Sequence, residues 1–141
     1  MKRLARHWGP VAAWAALIFA ISSLRIPSGP SRLGIDKVAH FFEFGALAAL
    51  VTRALIGSAL SPTRAVIWAI ALATAYGASD ELHQRFVPGR SSDIFDLLAD
   101  FVGACAGALL FQAIRSRLRG DAAEGSARSR ARVGEHGHIR R

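Results

Sequence analysis

The chain has one cysteine, Cys105, in 141 residues. No intrachain disulfide can form, and no Cys-based zinc signature is present. Cys105 lies inside an apolar run and reads as a small packing residue. Lysine is almost missing: Lys2 and Lys37 are the only two, and every other basic residue is Arg. There is no nucleophile motif and no glycine-rich phosphate loop, so no ready-made enzyme signature stands out. Also missing is any charge-free apolar run of the ~20 residues that a spanning helix needs. The apolar residues that are there, 52% of the chain with mean hydropathy +0.28, are bunched into four shorter runs. That bunching points to a membrane protein rather than a small soluble domain. In a soluble chain the net charge of +8 would suit nucleic acid. Here the basic residues crowd the chain ends, as topology signals do, and no nucleic-acid partner is expected.

The first predicted span is Trp8 to Leu24, preceded by Lys2, Arg3, Arg6 and His7. A basic start before an apolar stretch also resembles a signal peptide. The following S-S-L-R-I-P lacks a small-x-small cleavage site, and more spans follow. Pro27, Gly29, Pro30 and Gly34 then predict a loop. Span 2 is predicted from Lys37 to Leu60, span 3 from Thr63 to Asp80 and span 4 from Ser92 to Ile114. The fold class is all-α: a four-helix transmembrane bundle over residues 1–114. Residues 115–141, rich in Arg, Gly, Ala and Ser, read as a disordered basic cytoplasmic tail drawn to anionic membrane lipid. The E-H-G-H stretch at Glu135 to His138 reads as inert. Arginines at both ends place both termini in the cytoplasm of a bacterial plasma (inner) membrane, as a multi-pass protein. Trp8 suits an interfacial anchor, Trp14 and Trp68 suit packing, and Leu47 and Leu109 are expected to face lipid.

Three acidic and polar clusters lie at span ends that this topology puts on the outer side. Asp36, Lys37, His40 and Glu43 open span 2. Asp80, Glu81, His83, Gln84 and Arg85 close span 3. Arg90, Asp93, Asp96 and Asp100 open span 4. Phe101 to Ile114 alone is shorter than the ~20 residues that cross the hydrocarbon. The acidic turns must therefore enter the bilayer, at roughly 2.5–3.5 kcal/mol per ionisable group on insertion scales. Residues three or four apart share a helix face. Asp36, His40 and Glu43 fit that spacing, as do Glu81 with Gln84, and Asp93, Asp96 and Asp100. Ten residues form the expected polar pocket: Asp36, Lys37, His40, Glu43, Glu81, Gln84, Arg90, Asp93, Asp96 and Asp100. A salt bridge from Arg90 to an acid of span 4 is the plainest expectation. Gly103 and Gly107 make a small-xxx-small pattern for close helix approach.

These residues also carry a family resemblance. D-K-V-A-H-F-F-E-F at Asp36 to Phe44, then E-L-H-Q-R-F-V-P-G-R-S-S-D-I-F-D-L-L-A-D-F-V-G at Glu81 to Gly103, resemble the two signatures of the VanZ-like membrane proteins. The family is related to the teicoplanin-resistance protein VanZ. The S-S before Pro27 resembles the family's end of the first span, and the likeness covers about Ala12 to Leu110. Two positions depart from it. An aromatic that is often Tyr is Phe44 here, and a polar position that is usually Asn is Asp100. The resemblance implies a cell-envelope setting and a bearing on antibiotic resistance; it implies no particular reaction.

Three functions compete. The first is an outward polar pocket that binds or modifies a lipid-linked or cell-wall ligand, or a glycopeptide. The second is a membrane-embedded acid–base hydrolase or transferase. There His40 works with Glu81 or Asp96, and Arg90 with Lys37 holds a phosphate or carboxylate. The third is a small ion- or proton-coupled transporter. The crowding of charges at one end argues against a through-path. No cofactor or metal is assigned, although His and carboxylates together can take a divalent ion.

Overall fold

The computed structural model describes residues 2–24, 33–90 and 92–137. The expected loop at Pro27, Gly29 and Pro30 lies outside them. Among the described residues there are four helices and no strand. They are α1 (Lys2–Ser22), α2 (Leu33–Gly57), α3 (Pro62–Gln84) and α4 (Ile94–Gly137). Gly34, expected in the loop, already belongs to α2. The chain divides into two units, Met1–Phe111 and Gln112–Arg141. The all-α, four-helix reading holds. The expected tail continues as the helical backbone of α4, and Ser116 to Gly125 are exposed.

Local chemistry explains where the helices stop and start. Ala59 follows α2 with φ 70°, a left-handed position where glycine is usual, and Leu60 N–H donates back to Leu55 O at 3.1 Å. This turn ends α2 three residues before the expected Leu60. Pro62 at the first position of α3 gives up a backbone donor that would have no helical partner. Asp93 caps α4: its Oδ1 accepts the N–H of Phe95 at 2.9 Å.

Among the described residues, three helices are long and apolar enough to cross a membrane, over Leu4–Ser22, Gly34–Gly57 and Ile94–Gly125. Helix α3 falls short of that measure, because Arg64, Asp80 and Glu81 dilute its apolar content. Its 23 residues still give a length of about 34 Å at ~1.5 Å per residue. Large apolar side chains point outward all around, including Leu17, Phe19, Phe42, Ile67, Leu109 and Leu110. Such a surface suits lipid. The core is built of small residues around Ile18, Phe44, Leu47 and Val51, with Ala48, Ala69, Ala73, Ala104 and Ala108 fully buried. Leu47 therefore faces inward, against expectation, while Leu109 does face out. Trp14 packs on the core and donates to Glu43 O at 2.9 Å, but Trp68 is exposed. Trp8 donates to Ser58 Oγ at 3.3 Å at the other end of the bundle.

Glycines bring α2 and α4 together. A Cβ on Gly103 would collide with Phe41 O, and one on Gly107 with Gly45 O. The expected small-residue seam is thus a backbone-to-backbone contact.

Candidate functional site

The polar residues at one end of the bundle form two groups. The first joins α1 to α3. Ser22 Oγ donates to Asp80 Oδ1 at 2.6 Å, and Gln84 Nε2 donates to Asp80 Oδ2 at 2.9 Å. All three side chains are buried. Beside them Ser23 Oγ meets His83 Nε2 at 3.0 Å. Arg90 belongs with this group. Its Nη2 donates to Ile21 O at 3.0 Å, among the last carbonyls of α1. Ile21 O also accepts the N–H of Leu24 at 3.1 Å, and the last carbonyls of a helix carry the negative end of its dipole. The expected salt bridge from Arg90 to span 4 is not formed.

The second group joins α2 to α4, and Lys37 does what was expected of Arg90. Its Nζ donates to Asp93 Oδ2 at 2.8 Å and to Asp96 Oδ1 at 2.9 Å. Asp93 precedes α4. The Lys37 ammonium, helped by the N–H of Phe95, holds its carboxyl below the usual carboxylate range. One turn on from Lys37, His40 Nδ1 lies 2.9 Å from Asp100 Oδ1. With Asp100 ionised, its carboxylate accepts this bond and Nδ1 is the donor. Asp100 is fully buried, and Gly77 on α3 leaves the space its carboxylate fills. The ring of His40 also stacks on Phe44, with centroids 6.1 Å apart. Both departures from the family pattern thus touch His40.

Glu81 reaches from α3 toward this second group. Its Oε2 accepts the N–H of Asp93 at 3.0 Å. One ligand atom each from His40, Glu81 and Asp96 lie within 4.8 Å of one another. Two carboxylate oxygens here, Glu81 Oε1 and Asp100 Oδ2, are buried with no hydrogen-bond partner. An open groove of about 630 Å³ runs beside the group. Its lining combines polar Glu81, Arg85 and Asp93 with apolar Leu82, Ile94 and Leu97.

Six of the ten expected residues therefore come together: Lys37, His40, Glu81, Asp93, Asp96 and Asp100. Gln84 and Arg90 serve the α1–α3 contact instead. Asp36 is exposed, and Glu43 is half-buried beside His40. Ser22, Ser23, Asp80 and His83 were not among the ten. The S-S pair at the end of α1 was the sequence signal that could have found the two serines.

No curated protein and no solved structure matches the chain. The family model described as VanZ/LLP1 matches residues 4–115, most of the chain and all of the polar end, so the protein belongs to the VanZ/LLP1 family.

Proposed function

We propose that this chain is a cell-envelope membrane protein whose polar end binds or modifies a lipid-linked or cell-wall ligand, with a consequence for glycopeptide susceptibility. The amphipathic groove carries this reading. Leu82, Ile94 and Leu97 offer a lipid chain an apolar wall, and Glu81, Arg85 and Asp93 offer a headgroup polar contacts. A site of this kind, apolar with a few convergent polar groups, suits a small amphipathic ligand. Orientation belongs to the proposal: both termini are cytoplasmic and the groove opens outward, following the arginines at the chain ends. The test is native mass spectrometry of the full chain released from membranes in mild detergent. A lipid-linked species should ride with the wild type and be lost from Glu81→Gln and Leu97→Ser. If both variants fold and retain the same co-purified lipids as the wild type, the reading fails.

A second reading, acid–base hydrolysis or transfer, is favoured by one contact. His40 is held by a buried carboxylate at 2.9 Å, the arrangement that orients an imidazole for proton transfer. Turnover of the co-purified ligand by the wild type, absent in His40→Gln, would favour it over binding alone.

A further inference from the structure

We infer that His40, Glu81 and Asp96 form a binding site for one divalent first-row metal ion, with Asp100 supporting it from behind. The inference does not rest on the proposed envelope ligand. Three observations carry it. First, the three side chains come from three different helices, yet one donor atom from each falls within 4.8 Å of the others. All three residues are more than nine-tenths buried, at 7%, 5% and 8% relative exposure.

Second, the histidine is arranged as a ligand. Asp100 Oδ1 lies 2.9 Å from Nδ1, and in the tautomer that donates this bond Nε2 is the nitrogen left for a cation. Metal-bound histidines usually give their other N–H to a carboxylate in this way. Lys37 takes only Oδ1 of Asp96, so the second oxygen of that carboxylate remains for the cation.

Third, the buried charge is lopsided. Asp80 is satisfied by neutral donors, but of Glu81, Asp96 and Asp100 only Asp96 has a Lys or Arg ion pair among the described residues, to Lys37. Glu81 Oε1 is buried with no hydrogen-bond partner. An unpartnered buried carboxylate oxygen is expensive, and a cation removes the expense. One nitrogen and two carboxylate oxygens suit Mn²⁺ or Zn²⁺ better than Ca²⁺, which takes oxygen ligands throughout.

The test uses the full chain in detergent, purified on a tag without histidine. His136→Ala and His138→Ala are built in to remove the E-H-G-H stretch. After chelator treatment, Mn²⁺ is titrated in and followed by electron paramagnetic resonance, and Zn²⁺ by calorimetry. One equivalent should bind, and the Mn²⁺ spectrum should show coupling to a histidine nitrogen. Glu81→Gln and Asp96→Asn should each weaken affinity by tenfold or more. Asp100→Asn should weaken it by about 10–100-fold, as outer-shell changes do. Asp80→Asn should leave it unchanged. The absence of saturable binding, or a bound Mn²⁺ without nitrogen coupling, overturns the inference. So does equal affinity across the variants. The nitrogen coupling is read on the unchanged site, so the proposal stays testable if a site variant fails to fold.

Discussion

Alanine substitutions along the α2–α4 seam should destabilise the protein in a graded order set by the contacts. At Gly45 an added Cβ meets Gly103 O at 3.1 Å, a tight fit that a small shift relieves. At Gly103 and Gly107 it runs into the backbone carbonyls of Phe41 and Gly45, and no side chain can turn aside. At Gly120 there is nothing within 4 Å. Alanine in place of glycine favours a helix by roughly 0.5–1 kcal/mol. Forcing extra atoms into a packed contact costs about 1–3 kcal/mol, and more where backbone must move. Gly45→Ala should therefore come out near neutral. Gly103→Ala and Gly107→Ala should each lose about 1–3 kcal/mol, and Gly120→Ala should lose nothing. The measurement is a detergent melt followed by tryptophan fluorescence, with membrane abundance of the same variants. Were Gly107→Ala to melt with Gly120→Ala, or Gly45→Ala to be the worst of the four, the seam would not be where the structure puts it.

Three further outcomes are expected. Arg90→Lys should lower stability by roughly 1–2 kcal/mol, because a Lys reaches the α1 carbonyls with a single ammonium; Glu81→Gln should keep the melt and lose the ligand, and the reverse pattern would exchange their roles. The depressed Asp93 carboxyl favours the folded state fully above its ordinary value of 3.8, and that contribution is lost as pH falls through the lower folded value. Carboxyl NMR should show the Asp93 midpoint rise in Lys37→Gln, and an unmoved midpoint would rule out the Lys37 contact. In a Cys105→Ala background, Pro88→Cys should react with an impermeant thiol reagent in whole cells while Ser126→Cys does not, and the opposite labelling would reverse the proposed orientation.

The number and order of the helices were legible because each apolar run is bounded by charge or by a Pro-Gly turn. Helix ends were less so. Lys2, Arg3 and Arg6 are good helix formers and continue α1 upstream of the apolar run. Spacing along a helix tells which residues share a face, but not how far that helix is rotated about its axis. That is why Leu47 turned inward and Asp36 outward. Arg90 was misread for a different reason. Opposite charge suggested an acid, whereas the nearest negative potential is the carbonyl end of α1. The role of Gly77, which makes room for Asp100, could not be read at all, since it depends on a residue 23 positions away on another helix.

The glycine seam and the polar end are linked by side-chain length. Asp is short, and Asp100 reaches His40 only where α2 and α4 nearly touch, at the level of Gly45 and Gly103. Widening the seam should therefore break the His40–Asp100 contact before it breaks those of the longer, more flexible Lys37 side chain. The charge left there also constrains the ligand. Of Glu81, Asp96 and Asp100, only Asp96 is paired with a Lys or Arg among the described residues, and that partner, Lys37, is shared with Asp93. Such a site repels a bare phosphate. An anionic headgroup is compatible with it only when a divalent cation neutralises the carboxylates, as metal ions do at phosphoryl groups. A phosphate-linked lipid should therefore co-purify in the presence of Mn²⁺ and be released by chelator. A neutral or cationic headgroup should stay bound through the same treatment.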